Sequence, residues 1–337
     1  MNKIFRRLLV IHHFLIITGF TLCAQLKWEN IDSLYQPLPP SVHIYKTTSS
    51  LDGKPNIAYY LIADLKDKQL IFDTDTTFSR RLTPAAFYHK NEQPLVVVNC
   101  TFFSFQTNQN LNMVIKNGKL VGYNVHTIAG RGKDTLRYIH TFGSAIGISK
   151  KRKADVAWTF TDSSKNFSYA TGLAYPVIKD SSNDLTFSMI KAMKYFTPDF
   201  SFSRKMFRKW KMQTAVGGGP ILLQNGEIKI TNNEERKFAG NAIHDKHPRT
   251  AMGYTRDNQL IILVVQGRAP GIAEGASLTQ EAQILKDLGC WEALNLDGGG
   301  SSCLLVNGKE TIRPSDATGQ RPVPAVFLIH HKEITNK

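Results

Sequence analysis

Cysteine is scarce in this 337-residue chain, which contains four. Cys23 lies in a predicted targeting segment, so Cys100, Cys290 and Cys303 would remain in the mature protein. Three cysteines allow at most one disulfide, and no CxxC pair indicates a metal site. The sequence therefore excludes a disulfide-stabilised scaffold, and we expect buried thiols that pack as small apolar side chains.

The chain also lacks a long uninterrupted hydrophobic run. The apolar stretch 8–22 follows a basic start and is broken by His12, His13 and Gly19. It ends in Leu22-Cys23-Ala24, which has the form of a small-residue cleavage site. We therefore predict a signal peptide at residues 1–24 and export to the periplasm or the cell exterior, without stable membrane insertion after cleavage. The alternative is an uncleaved N-terminal segment that anchors the protein to a membrane.

Acidic residues are fewer than basic ones, 27 against 42, which gives a formal net charge of +15. Removal of the three cations in residues 1–24 leaves +12. Such a charge attracts polyanions, including nucleic acids and phosphate-bearing glycans. Predicted export argues against a nucleic-acid partner, and the sequence shows no zinc-finger spacing and no cluster of aromatics with Lys and Arg of the kind that single-strand binders use, so we predict none. A basic surface without a particular partner remains an alternative.

Helical patterns are few, whereas short β-type segments are many. They are rich in β-branched or alternating apolar residues, and they are 57–63, 95–98, 112–116, 144–149, 156–160, 221–224, 251–254, 260–265, 293–296, 302–306 and 325–329. Asn-Gly turns at 117–118, 225–226 and 307–308 predict hairpins. Helices are predicted at 84–89 and 277–288.

These segments predict an α+β fold with a large, mostly antiparallel or mixed sheet system and few helices. No linker or internal repeat divides the chain. We predict an N-terminal extension at 25–56 and a single domain at 57–330, with 180–184 and 196–210 as a surface excursion.

The segment Asn295 to Ser302 joins two apolar strands and contains three consecutive glycines, Gly298, Gly299 and Gly300. Glycines let the backbone approach a ligand closely and can present N–H groups to an anion, while Asp297 adds a carboxylate. A tight turn with a capping Asp is the alternative interpretation.

A second glycine-rich segment, Gly217 to Gly219, precedes Pro220 and a strand. Because consecutive glycines weaken a strand, their presence indicates a close backbone approach at this point.

The segment His247-Pro248-Arg249-Thr250 enters another strand. The guanidinium of Arg249 is suited to phosphate, and His247 could supply or accept a proton. Arg268 follows a strand and is a further candidate at the mouth of the site.

A fourth segment, Asn99 to Phe103, ends an apolar strand with an Asn and two aromatic rings. Phe102 and Phe103 could stack on a sugar, with packing in the core as the alternative.

Taken in order, these segments resemble the phosphodiester glycosidase family. The family's Asn-Gly-Gly-Phe-Phe is similar to residues 99–103, its Gly-Gly-Pro to 218–220, its Arg-Thr-Ala-x-Gly to 249–253 and its Leu-Asp-Gly-Gly-Gly-Ser to 296–301. Two departures are present. Cys100-Thr101 replaces the paired glycines, and Thr279-Gln280-Glu281 stands near a helix start where many members carry an acid.

The resemblance implies a hydrolase that cleaves a sugar-1-phosphate diester. Ordinary glycosidases need two carboxylates because a sugar alkoxide leaves poorly. A phosphate leaving group has a pKa of about 6 or below, so a cation can replace much of the proton donation.

We therefore predict that Asp297 is the nucleophile or general base and that Arg249 and His247 complete the catalytic set. Predicted substrate-binding residues are Asn99, Phe102, Phe103, Gly218, Gly219, Asn295, Gly298, Gly299, Gly300, Ser301 and Arg268. We predict no metal and no cofactor, and the predicted partner is a phosphorylated glycan or sugar-1-phosphate diester.

Two other classes of function remain open from the sequence alone. A phosphodiesterase would attack phosphorus, usually with metal ions held by acids and His. A non-catalytic glycan-binding envelope protein could retain the same fold, and the Cys100-Thr101 pair is the feature that favours it.

Overall fold

The structure is a computed structural model, and it describes residues 25–130, 138–174 and 208–332. The predicted signal peptide and most of the predicted surface excursion lie outside these ranges. Within them, no helix is long and apolar enough to cross a membrane.

Strands account for most of the regular structure. In chain order they are β1 (Glu29–Asn30), β2 (Val42–Thr47), β3 (Ala58–Asp64), β4 (Leu70–Thr76), β5 (Val96–Asn99), β6 (Val114–Lys116), β7 (Lys119–Gly122), β8 (Thr127–Ala129), β9 (Tyr138–His140), β10 (Gly143–Ile148), β11 (Ala154–Phe160), β12 (Ser168–Thr171), β13 (Arg208–Trp210), β14 (Thr214–Gly217), β15 (Ile221–Gln224), β16 (Glu227–Ile228), β17 (Arg249–Thr255), β18 (Gln259–Val265), β19 (Cys290–Asn295), β20 (Leu304–Val306), β21 (Lys309–Glu310) and β22 (Ala325–His331).

These strands form three larger sheets and one two-stranded ribbon. The eight-stranded sheet has the order β1-β2-β3-β18-β17-β19-β15-β16, the seven-stranded sheet β13-β12-β11-β10-β14-β6-β7, and the five-stranded sheet β21-β20-β5-β22-β4. The ribbon pairs β8 with β9. Strands that are neighbours in a sheet are often far apart in sequence, as in β5 with β22. The sheets are therefore held together by long-range strand pairing.

Three α-helices accompany the sheets in the described ranges: α1 (Pro84–Lys90), α2 (Asn232–Glu235) and α3 (Leu278–Asp287). Thr83 caps α1, with its hydroxyl accepting from the Ala86 N–H, and Pro84 occupies the first turn. Ser277 and Gln280 form a capping box at the start of α3. The helices predicted at 84–89 and 277–288 are therefore present, and the α+β fold class is confirmed.

The three Asn-Gly turns form hairpins as predicted. The Asn residues have φ of 51° at Asn117, 55° at Asn225 and 48° at Asn307, and each following glycine also has positive φ. Both turn residues are thus left-handed, which matches the twist of the flanking strands.

The predicted N-terminal extension contributes to the sheet system. In the eight-stranded sheet β2 pairs with β3 along its whole length, from Val42 opposite Ala63 to Thr47 opposite Ala58. The division at residue 56 stays a prediction.

The core lies between the sheets and takes side chains from all three of them, among them Ile44, Val98, Val216, Leu294 and Phe327. The three remaining cysteines are buried and unbridged. Burial raises the pKa of the Cys100 and Cys290 thiols to about 12, so both stay protonated.

Candidate active site

Strand ends from three sheets meet at one place. Asn99 ends β5 of the five-stranded sheet, Gly217 ends β14 of the seven-stranded sheet, and in the eight-stranded sheet Arg249 begins β17 beside Asn295 at the end of β19. The four segments singled out in the sequence lie at these strand ends, and hydrogen bonds join them: Asn99 to Asp297, Asn295 to Gly219, and Gly299 to Pro248.

Asn99 connects the segments of this junction through its side-chain amide. Its side chain is fully buried, and Nδ2 donates to the Asp297 carbonyl at 2.6 Å. Its Oδ1 accepts from the Thr250 hydroxyl and from the Cys303 N–H, both at 3.0 Å. The amide group of Asn99 is thus occupied by three protein partners, which fixes the entry to the Asp297 loop.

The two glycine-rich loops are tied to each other by Asn295. Its Nδ2 donates to the Gly219 carbonyl at 2.8 Å, and the Gly219 N–H donates back to the Asn295 carbonyl at 2.7 Å. A Cβ at Gly218 would lie 2.5 Å from the Asn295 carbonyl oxygen, so the close approach requires glycine there. Asn295 Oδ1 is buried and has no hydrogen-bond partner within the described residues.

Asp297 is half-buried at the start of the loop 297–301. Its N–H donates to the Cys100 carbonyl at 2.8 Å, and the Gly299 N–H donates to the Pro248 carbonyl at 2.8 Å. Burial raises the pKa of Asp297 to about 7, against the opposing effects of the Ser301 hydroxyl, the Arg321 guanidinium and the Gly298 amide. The carboxyl therefore titrates near neutral pH.

One side of this loop carries an ion pair. Arg321 binds Asp316 through Nε to Oδ2 at 2.7 Å and Nη2 to Oδ1 at 2.8 Å. A Cβ at Gly300 would clash with both partners, so the pair lies directly against the loop. We call Asp297, Ser301, Asp316 and Arg321 the Asp297 face.

Arg249 adjoins the loop at Gly298, whose Cβ position lies 3.8 Å from the Arg249 Cα, and Arg249 is 2% exposed. Its Nε donates to the Ala276 carbonyl and its Nη2 to the Asp245 carbonyl, both at 2.8 Å. These bonds orient the guanidinium. No ion pair joins Arg249 to Asp297 in the described ranges.

Glu281 lies beside Arg249, from the first turn of α3. Its side chain is fully buried, and neither carboxyl oxygen has a hydrogen-bond partner among the residues described. Burial raises the pKa of Glu281 to about 8, and the charge of Arg249 opposes this rise. The acid near the helix start therefore faces Arg249, a point that the sequence left open.

His247 and Arg268 complete this side of the loop. Burial and the charges of Arg249 and Arg268 lower the pKa of His247, which keeps the imidazole neutral at pH 7. Arg268 is exposed, and its Nη2 lies 2.9 Å from the Cβ position of Gly299. We call His247, Arg249, Arg268 and Glu281 the Arg249 face.

The predicted aromatic residues occupy different environments. Phe103 is 7% exposed and packs in a core cluster, which leaves little of its ring for a sugar. Phe102 is half-buried and meets the Phe238 ring edge-on at 6.1 Å. Lys237 Nζ lies 5.2 Å from the centre of the Phe102 ring, and Arg249 lies 5.9 Å from that of Phe238. Phe102 thus borders the Arg249 face.

The structure therefore brings the predicted segments together around the loop 297–301. Their roles in substrate binding and catalysis stay predictions. Sequence reasoning missed Arg321, Lys237 and Phe238. Each stands in a stretch without a recognisable motif, so no local signal marks it. Among the described residues, no group of three His, Cys, Asp or Glu is placed to hold a metal ion.

A family model described as phosphodiester glycosidase matches residues 92–330. The mouse protein named N-acetylglucosamine-1-phosphodiester alpha-N-acetylglucosaminidase is 32% identical over 109 residues. That match covers 30% of this chain and 21% of the mouse protein. The chain therefore aligns with only about a fifth of this relative's length.

Two solved structures share the fold. The catalytic domain of the zebrafish protein with the same name superposes with a TM-score of 0.55 at 20% identity, covering 91% of this chain and 88% of that one. A hypothetical protein from Synechocystis gives a TM-score of 0.55 at 15% identity, covering 87% of this chain and 64% of that one.

Proposed function

Because the chain belongs to the phosphodiester glycosidase family, we propose that it hydrolyses the glycosidic C1–O bond of a sugar-1-phosphate diester. The substrate class that we propose is a phosphorylated glycan or a cell-envelope polymer. The observation that carries the proposal is the half-buried carboxyl of Asp297, with a pKa raised to about 7, on a loop fixed by Asn99, Cys100 and Pro248.

The two faces of the loop match the two groups joined by the bond that breaks, the anomeric carbon and the phosphate. On the Asp297 face a carboxylate is available to act on the anomeric carbon, as nucleophile or as general base. On the Arg249 face a buried and oriented cation is available to stabilise the departing phosphate. A charge in a water-poor site acts more strongly than one in bulk water.

Asp297 and His247 are the groups that we propose for proton transfer. Asp297, with a pKa raised to about 7, can take a proton from water when it is ionised. His247 is neutral and half-buried, and its Nδ1 has no hydrogen-bond partner in the described part of the chain. Phosphate is a good leaving group, so a second carboxylic acid is not required.

A screen of phosphodiester-linked sugars, with products identified by mass, tests this function. The name of the mouse relative makes N-acetylglucosamine-1-phosphate diesters the first compounds to try. We expect free sugar and a phosphomonoester as products, and loss of both with Asp297→Asn. Turnover by Asp297→Asn at the wild-type rate would contradict the role of Asp297.

We also propose that the protein is exported and that residues 1–24 are removed after Ala24. The support is the basic start, the short apolar stretch and the small-residue end of that segment. Mass analysis of the N-terminus of protein recovered from outside the cytoplasm should find Gln25. An N-terminus at Met1 or a lipidated Cys23 would contradict cleavage.

A further inference from the structure

A cavity of about 410 Å³ opens beside the outer end of the loop 297–301. Its walls include Gln266, Arg268, Arg313, Ser315 and Asp316. Arg268 belongs to the Arg249 face and Asp316 to the Asp297 face, so the cavity adjoins both. Its volume falls in the range of roughly 300–1,000 Å³ that small-molecule pockets occupy.

The cavity contains more positive charge than the reacting phosphate requires. Arg268 and Arg313 are exposed, and neither forms an ion pair within the ranges that the structure describes. The carboxylate of Asp316 is already bound by Arg321 through two hydrogen bonds. A phosphate diester carries a single negative charge, and Arg249 is placed to meet it. Two uncommitted guanidiniums therefore remain for another anion.

The polar groups of the cavity also indicate a ligand. Ser315 Oγ is buried and has no hydrogen-bond partner in the described residues. The Arg313 N–H donates to Gln266 Oε1 at 2.9 Å, which fixes the start of the segment that carries Arg313 and Ser315. A buried hydroxyl without a partner is uncommon in a folded protein unless a ligand or water completes it.

We infer that this cavity is the acceptor subsite, which binds the group joined to the second ester oxygen of the phosphate. Its excess of guanidinium groups selects acceptors that carry a second negative charge, from a carboxylate or a further phosphate. The substrate class is then a glycan phosphodiester with an anionic acceptor. This inference rests on the proposed cleavage of a sugar-1-phosphate diester at Asp297.

Two matched substrates test the inference in the full-length protein. They are N-acetylglucosamine-1-phosphate diesters of glycerol and of glycerate, which differ in one carboxylate. We expect kcat/KM to favour the glycerate diester by about fivefold or more, mainly through KM. The preference should shrink as added salt screens the exposed arginines.

Substitution of Arg313 tests whether the preference for the glycerate diester arises in this cavity. Arg313→Ala should bring the ratio of the two kcat/KM values close to one. Arg256→Ala is the matched control, because Arg256 is also exposed but lies over the Trp291 ring, 3.7 Å from its centre. Arg256→Ala also removes one positive charge, and it should leave the ratio of the two kcat/KM values as in the wild type. Equal ratios in all three proteins, or an equal effect of Arg313→Ala on both substrates, would overturn the subsite.

A binding measurement separates the subsite from the reaction. Calorimetry with 2-phosphoglycerate and glycerol 2-phosphate should show tighter binding of the former, and Arg313→Ala should abolish the difference. If neither diester is hydrolysed but this difference is present, the proposed function fails and the anion subsite stands. If both diesters are hydrolysed but the two phosphates bind equally, the subsite fails and the function stands.

Discussion

The two faces of the loop 297–301 each carry arginine and an acidic residue, but they differ in which of the two is available as a charged group. On the Asp297 face, Arg321 is neutralised by Asp316, and the carboxyl of Asp297 stands half-buried beside them. On the Arg249 face, the cation is buried, and the nearby acid Glu281 is held by burial in its protonated form at neutral pH. The first face can therefore present negative charge and the second positive charge. A substrate that spans the loop would meet both.

The largest effect is expected from the Asp297 face. Asp297→Asn should lower kcat by about a thousandfold, since an amide is neither nucleophile nor base. Binding of the anionic substrate should survive or improve because a negative charge is lost. Single-turnover rates and direct binding of a phosphodiester separate these two effects.

Asp257→Asn is the control for that variant, because Asp257 is exposed in a different cavity. It should keep wild-type kinetics. If Asp297→Asn instead loses binding and retains its turnover rate, Asp297 positions the loop rather than reacting.

The acid of the Arg249 face should affect stability through pH. Burial holds the pKa of Glu281 at about 8, above its ordinary value of 4.5, so the folded state binds this proton more tightly than the unfolded state. Its contribution to stability is complete below about pH 4.5 and is lost as the pH rises through 8. Glu281→Gln should therefore raise the free energy of unfolding by roughly 3 kcal/mol at pH 8 relative to its effect at pH 5.

Denaturant unfolding at the two pH values measures this difference. Glu29→Gln, at an exposed position in β1, is the control and should show the same effect at both. A Glu281→Gln effect independent of pH would mean that Glu281 is ionised in the folded protein and pairs with Arg249.

The cation of the Arg249 face should give the smallest of these effects. Arg249→Lys loses the forked contact to phosphate, for which we expect a loss of about 2 kcal/mol, or kcat/KM below about a tenth of wild type. The bonds to the Ala276 and Asp245 carbonyls would also be disturbed, so unfolding must be measured alongside activity.

Arg256→Lys, remote from the loop, should leave both quantities unchanged. Near-wild-type activity of Arg249→Lys would transfer the phosphate contact to Arg268.

The sequence predicts which segments meet at the site better than it predicts how their side chains are arranged around the loop. Gly218, Arg249 and Asp297 could be found because each stands where a strand meets a glycine- or proline-marked loop, and Asn99 could be found because it ends an apolar strand. The sequence interpretation begins this strand at Ala251, so it does not show that the side chains of Arg249 and Thr250 point in opposite directions, Arg249 against Ala276 and Thr250 against Asn99. That separation follows from the alternation of side chains along β17.

Strands β2 and β4 were missed because their residues lack a clear strand pattern. Strand β2 (Val42–Thr47) mixes His, Tyr and Lys with apolar residues, and β4 (Leu70–Thr76) contains two aspartates. Their pairing with β3 and β22 decides their conformation, and such long-range pairing overrides local propensity. Arg321 was missed because no motif marks it and only the fold brings it close to Gly300.

The position of bond cleavage tests the central claim most directly. If Asp297 directs attack to the anomeric carbon, then hydrolysis of an N-acetylglucosamine-1-phosphate diester in oxygen-18 water should place the label on the free sugar. The phosphate would then keep its original bridging oxygen. Label on the phosphate would show attack at phosphorus, and it would contradict the assignment of a glycosidase even if the rate were high.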